Sequence, residues 1–138
     1  RQRQMCIRDR CMIFASTIVT YAADPYLSFG SKTGNVNVKK YADKYDDTWY
    51  GLTSQTYNSS TGYTTKFTIK VNARTISADA TNFNNFAKST VTHEFGHVFW
   101  LCDNPNTSKS SIMKYSRNRN GMTAPQTFDV DNVNAKYD

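Results

Sequence analysis

The order of hydrophobic patterns along the chain predicts an α+β domain. Period-two alternation dominates up to about Ser77, and apolar spacings of three and four replace it afterwards. A length of 138 residues suffices for one buried core but not for two, so one active site is the expectation. The first apolar stretch, Met12 to Ala23, reads as a strand in preference to a helix end or a secretory remnant. Asn35 to Lys39 alternates polar and apolar residues, as a half-buried strand does. Phe67, Ile69 and Val71 alternate with Thr68 and Lys70 in the same way, and Trp49 to Thr53 is a third strand. Asn58-Ser59-Ser60-Thr61-Gly62 is dense in turn formers, which predicts a hairpin into the Phe67 strand.

Helical patterning starts after Asp79 or Thr81, either of which is a suitable N-cap. Phe83, Phe86, Ala87, Val91, Phe95 and Val98 then define a core-facing stripe that reaches roughly Leu101. Asn104-Pro105 and Asn120-Gly121 mark loops. Asp129 is placed to cap a short terminal helix carrying Val130, Val133 and Tyr137 on one face.

The net charge of +6 suggests a polyanion partner until the charges are located. Arg1, Arg3, Arg8 and Arg10 stand against only Asp9, and the other cations are scattered with no basic run, so nucleic-acid binding is not expected. Residues 1–10 resemble translated adapter sequence or a disordered tail and are set aside. The single folded domain is taken as 11–138. Cys6 falls in the excluded tail, leaving Cys11 and Cys102, from which no disulfide framework can be argued. No apolar run is long enough for a membrane span. Abundant Asn, Ser, Thr and Tyr beside scarce Glu fits a secreted bacterial protein, with a monomer as the default. Asp43, Asp46 and Asp47 offer calcium a carboxylate cluster, but they lack the D-x-[DN]-x-[DN]-G pattern and read as a solvated turn.

Chemistry concentrates in His93-Glu94-Phe95-Gly96-His97. Histidines four apart on a helix lie one turn above each other and reach one ion from the same side. Glu94 is rotated by about 100°, which suits contact with a metal-activated water better than ligation. The chain's two histidines and its single glutamate all fall in this pentapeptide. Random placement achieves that on the order of once in ten thousand, so the H-E-x-x-H reading outweighs two ordinary core histidines.

Two imidazoles favour zinc, and a catalytic zinc site takes a third protein ligand with one position left to water. A distant glutamate ligand is excluded because no second Glu exists, and the Glu-Gly-Cys context that a cysteine ligand would need is also absent. Among the downstream carboxylates Asp103, Asp129, Asp131 and Asp138, Asp103 lies where the helix should end and the chain turn back. It is assigned as the third ligand.

His93 to Asp103 reads H-E-F-G-H-V-F-W-L-C-D, and Ser111-Ile112-Met113-Lys114-Tyr115 follows it. This pair of segments resembles the metzincin metallopeptidases, with H-E-x-x-H-x-x-G-x-x-H and a Met-turn. The terminal aspartate is similar to that of the snapalysin branch and of small matrixin-like enzymes. The resemblance implies a small mixed, twisted sheet packed on the active-site helix, then the Met-turn and a C-terminal helix. It implies a zinc endopeptidase acting on protein or peptide substrates, with Glu94 as general base. Met113 would form the floor beneath the metal, and the Tyr115 hydroxyl would assist at the oxyanion. Substrate would lie extended along the sheet edge, with Phe67 to Asn72 expected to form part of that sheet. Family members also carry a long helix before the sheet, which the region upstream of Tyr26 is too short to supply, so an N-terminally truncated domain is one expectation.

Trp100 stands where the family has glycine. Either the chain turns there through left-handed backbone at a cost of about 1 to 2 kcal/mol, or the helix continues and misaims Asp103. The second outcome would favour a zinc-binding module without catalysis, whereas the truncated domain would be a non-functional fragment.

Overall fold

The computed structural model describes the backbone of residues 37–137 and the side chains of residues 43–136; the tail and the Met12 to Ala23 segment lie outside them. The chain runs β1 (Asn37–Asp43), β2 (Gly51–Tyr57), β3 (Thr64–Asn72), α1 (Ala73–Asp79), α2 (Phe83–Val98) and α3 (Thr127–Tyr137). The α+β class expected from the patterning is therefore present. The three strands form one mixed sheet in the order β1-β3-β2, with β1 parallel and β2 antiparallel to β3.

β3 is central because its alternation gives it a continuous apolar face: Phe67, Ile69 and Val71 are all buried. Its hairpin to β2 forms where predicted. The Asn58 side chain accepts from the Ser60 and Thr61 amides, and Gly62 takes a φ of 72°, the left-handed region open to glycine. Thr53 pairs with Ile69, and β1 places Val38 opposite Phe67.

The strand-type reading up to Ser77 is corrected, because β3 passes straight into α1. The cause is Asn72, whose carboxamide oxygen caps the Arg74 amide while its Nδ2 donates to the carbonyls of Tyr45 and Asp47. The cap of α2 is likewise corrected, from Asp79 or Thr81 to Asn82, whose Oδ1 accepts from the Asn85 amide at 3.0 Å. Asp79 ends α1, and the Thr81 amide is bound by Asn120 Oδ1. Phe83, expected in the core, is exposed.

α2 is buried on two sides. Phe86, Phe95 and Val98 pack with Phe67, Ile69 and Val71, and the Phe67 and Phe95 rings meet edge-on at 5.6 Å. A second cluster of Leu101, Ile112, Met113 and Val133 joins the segment after α2 to α3. This double cover explains why polar Ser89, Thr90, Thr92, His93 and Glu94 are buried on one helix. Thr90 and Thr92 satisfy their hydroxyls by donating to the carbonyls of Phe86 and Lys88 one turn back.

α3 starts at Thr127, so Asp129 lies in its first turn instead of capping it; the carboxylate reaches back to the Gln126 amide at 2.7 Å. Among the described residues no helix is long and apolar enough to cross a membrane.

Candidate metal centre

The site is set by how α2 ends. The helix stops at Val98, short of the Leu101 boundary expected from the apolar stripe. Trp100 has a φ of 68°; its amide donates to His97 O, and the Leu101 amide donates to Gly96 O, both at 3.0 Å. This pair of bonds is the Schellman arrangement, with tryptophan at the position usually held by glycine. Of the two outcomes expected for Trp100, the left-handed turn is the one found.

That reversal brings Asp103 back over the helix. Asp103 Oδ1 lies 3.0 Å from His93 Nε2 and 3.3 Å from His97 Nε2. The opposite ring nitrogens are both engaged: His97 Nδ1 donates to Leu101 O at 2.8 Å and His93 Nδ1 to Ile112 O at 3.1 Å. A carbonyl oxygen only accepts, so each Nδ1 carries a proton, and each Nε2 directs a lone pair at the Asp103 carboxylate unless a cation intervenes. Two imidazole lone pairs and a carboxylate oxygen at one point demand a positive charge, supplied by a proton or a metal ion. Ligands about 2.0 to 2.2 Å from a tetrahedral zinc are spaced by about 3.3 Å, so the two separations fit a shared ion. The ligand atoms of His93, Glu94 and His97 also lie within 4.8 Å of one another.

Beneath the imidazoles, Met113 is fully buried, and a Cβ on Gly96 would collide with its sulfur. Gly96 is needed there for close approach, one residue before His97. The turn carrying Met113 hangs on Asp129: Ser111 Oγ donates to Asp129 Oδ1 at 2.5 Å, and the Ile112 amide donates to Oδ2 at 2.8 Å. Asp129 therefore fixes the carbonyl that orients His93. The Asn104 amide donates to Met113 O at 2.8 Å, tying the turn to the residue after Asp103.

Glu94 is held from the other side. Thr53 Oγ1 on β2 lies 2.7 Å from Glu94 Oε2 and 2.9 Å from the Glu94 carbonyl. Gly51, two residues earlier on the strand, packs so closely that a Cβ would come within 2.7 Å of Glu94 Cγ, Glu94 Oε1 and Thr90 Cγ2.

Charge follows the same geometry. Burial pushes the Asp103 carboxyl up, but hydrogen bonds and charge from His93 and His97 overcome it and hold the group far below the usual carboxylate range. Burial pushes His97 down, yet its hydrogen bond to Asp103 and the charges of Glu94 and Asp103 leave it raised above its ordinary value. Arg117, buried behind the site, donates to Ser89 Oγ and Lys114 O. Burial and then Arg119 lower it to about 10, so it remains a cation opposing Glu94, Asp103 and Asp129.

The structure thus brings His93, Glu94, His97, Asp103 and Met113 together. Tyr115 lies on the same turn, 51% exposed, its amide held by Asn104 Oδ1. Asp43, Asp46 and Asp47 are exposed, and Arg74 takes the Tyr45 and Asp47 carbonyls between them, as a solvated turn requires. Cys102 is disulfide-bonded. Sequence reasoning missed Thr53, Gly51 and the bracing role of Asp129; only the last carried a local signal, mistaken for a cap. Comparison with protein-family models, curated proteins and solved structures finds no match for this chain.

Trp100→Ala keeps the left-handed backbone cost and loses the ring, whereas Trp100→Gly removes that cost. The glycine variant should be the more stable by about 1 kcal/mol in urea titration, and equal stability would argue against the turn. Asp129→Ala strands the Ile112 and Gln126 amides and should cost about 3 kcal/mol in the same assay. A loss under about 1 kcal/mol would mean that the Met113 turn is braced elsewhere.

Proposed function

We propose that this protein is a zinc-dependent endopeptidase of the metzincin type. The observation that carries the reading is the meeting of His93 Nε2, His97 Nε2 and Asp103 Oδ1 within 3.0 and 3.3 Å, with both Nδ1 protons committed to carbonyls. Those three residues would hold the ion. When bound, zinc would lower the pKa of its water towards about 7 and would polarise a scissile carbonyl.

Glu94 has its carboxylate beside both imidazoles and is only 5% exposed, so it can take the proton of the attacking water and return it to the leaving amine. Met113 is the apolar floor, and the Tyr115 hydroxyl is assigned to the oxyanion. The order of sheet, α2, Met113 turn and α3 supports the metzincin reading, as does the left-handed turn, which removes the main reason to prefer a binding-only module.

Substrate is assigned to β2. Among the described strands, Phe67 to Asn72 lies in the central one, whereas β2 is at an edge and carries Gly51 and Thr53 against Glu94. An extended peptide pairing with that edge would bring its backbone past the imidazoles.

Purified protein should contain one zinc per chain and hydrolyse casein, with activity lost to a chelator and restored by zinc. Chelator-insensitive hydrolysis, or none at full zinc loading, sinks the proposal. Glu94→Ala should retain zinc and lose about a thousandfold or more in kcat, while Asp103→Ala should weaken zinc binding by at least about a hundredfold. Trp100→Gly should retain or raise activity.

Zinc uptake should also release protons. Because His97 without metal holds its proton above the ordinary 6.5, zinc must displace that proton, and affinity rises with pH until the raised value is passed. Calorimetry in buffers of different ionisation enthalpy measures the release. A pH-independent affinity between about pH 6 and 7 would exclude His97 as a ligand.

A further inference from the structure

We infer that Thr53 is a positioning residue for the reaction: its hydroxyl, with Gly51 clearing the space beside it, fixes the carboxylate of Glu94 for proton transfer. The inference rests on the peptidase reading and assigns part of its machinery to the edge strand.

Thr53 is fully buried and Glu94 nearly so, which makes a hydrogen bond to the carboxylate strong and its loss expensive. The hydroxyl has one proton and two acceptors in reach, Glu94 Oε2 at 2.7 Å and the Glu94 carbonyl at 2.9 Å. A threonine serving only to satisfy itself in the core would need the carbonyl alone, as Thr90 does with Phe86. The shorter contact here is to the side chain, which restricts its rotation about the last bonds. With Oε2 held, Oε1 remains to accept the proton.

Gly51 completes the slot. A Cβ there would come within 2.7 Å of Oε1 itself, so any side chain at 51 would push the carboxylate away from the place Thr53 holds it. Both residues lie on β2, the strand assigned to bind the peptide. One rigid element would therefore set both the register of the substrate and the orientation of the base, where a misplacement of about 1 Å costs about a hundredfold in rate.

The test compares full-length wild type with Thr53→Val, which keeps shape and removes the donor, and Thr53→Ser, which restores it. In the zinc-loaded protein, Thr53→Val should lower kcat about ten- to a hundredfold with KM and bound zinc unchanged, while Thr53→Ser stays within about threefold. A second readout needs no metal or turnover. The chain has a single glutamate, so carboxyl-¹³C glutamate introduced by cell-free synthesis reports Glu94 alone. Its resonance should move in Thr53→Val and stay in place in Thr53→Ser. Wild-type kcat in Thr53→Val, or an unmoved resonance, overturns the inference; if Thr53→Val does not fold, Thr53→Ala is read by the same two criteria. Should the wild type hydrolyse nothing, the peptidase reading fails and the positioning role fails with it, while the resonance still decides whether Thr53 holds the carboxylate.

Discussion

Three lone pairs aimed at one point are unfavourable by themselves, and the structure commits much of its polar chemistry to holding them there. His93 and His97 cannot turn away, because each Nδ1 proton is fixed to a carbonyl, one from Ile112 and one from Leu101. Those carbonyls are themselves held: Leu101 by the Schellman turn and Ile112 by the Asp129 carboxylate through its own amide. The bonds that orient the two rings are all made outside the point where they meet Asp103.

Rigidity of this kind requires burial, and burial creates a charge problem. α2 lies between the sheet cluster and the Leu101, Ile112, Met113 and Val133 cluster, so Glu94 and the imidazoles sit where unpaired charge is costly. Asp129 is fully buried and meets its need with hydroxyl and amide donors instead of a cation. Arg117 brings a positive charge into the same region, where it donates to Ser89 Oγ and the Lys114 carbonyl. The charges of Glu94, Asp103 and Asp129 in turn act against the lowering of Arg117 by burial and by Arg119.

What the sequence revealed, and what it hid, divides along local and non-local lines. The helical pairing of His93 with His97 is fixed by backbone geometry within one turn, and Asp103 was reachable because a helix end and a reversal precede it. The hairpin at Asn58 to Gly62 is equally local. Thr53 was invisible: one threonine among many, its meaning set by a strand pairing that places it against a glutamate 41 residues away. The helix α1 was masked because Asn72 ends a strand and caps a helix at once. Asp129 carried a helix-start signal, but that signal could not show that the carboxylate also grips the Met113 turn.

Trp100 shows how a left-handed turn can form without glycine. Its left-handed backbone costs about 1 to 2 kcal/mol, and the unpartnered indole nitrogen adds to that cost. Against this, the ring meets Tyr57 edge-on at 5.0 Å and lies 5.1 Å from the Lys136 ammonium. An aromatic pair contributes about 0.5 to 1.5 kcal/mol and an exposed cation–π contact about 0.5 to 1, so the opposing effects are of similar size. The turn can therefore form without glycine, because the hydrogen bonds to His97 and Gly96 then decide its shape. The ring also links the end of β2 and the end of α3 to the segment that delivers Asp103. The tryptophan thereby joins β2 to the segment that carries Asp103, a connection that glycine, having no side chain, could not make.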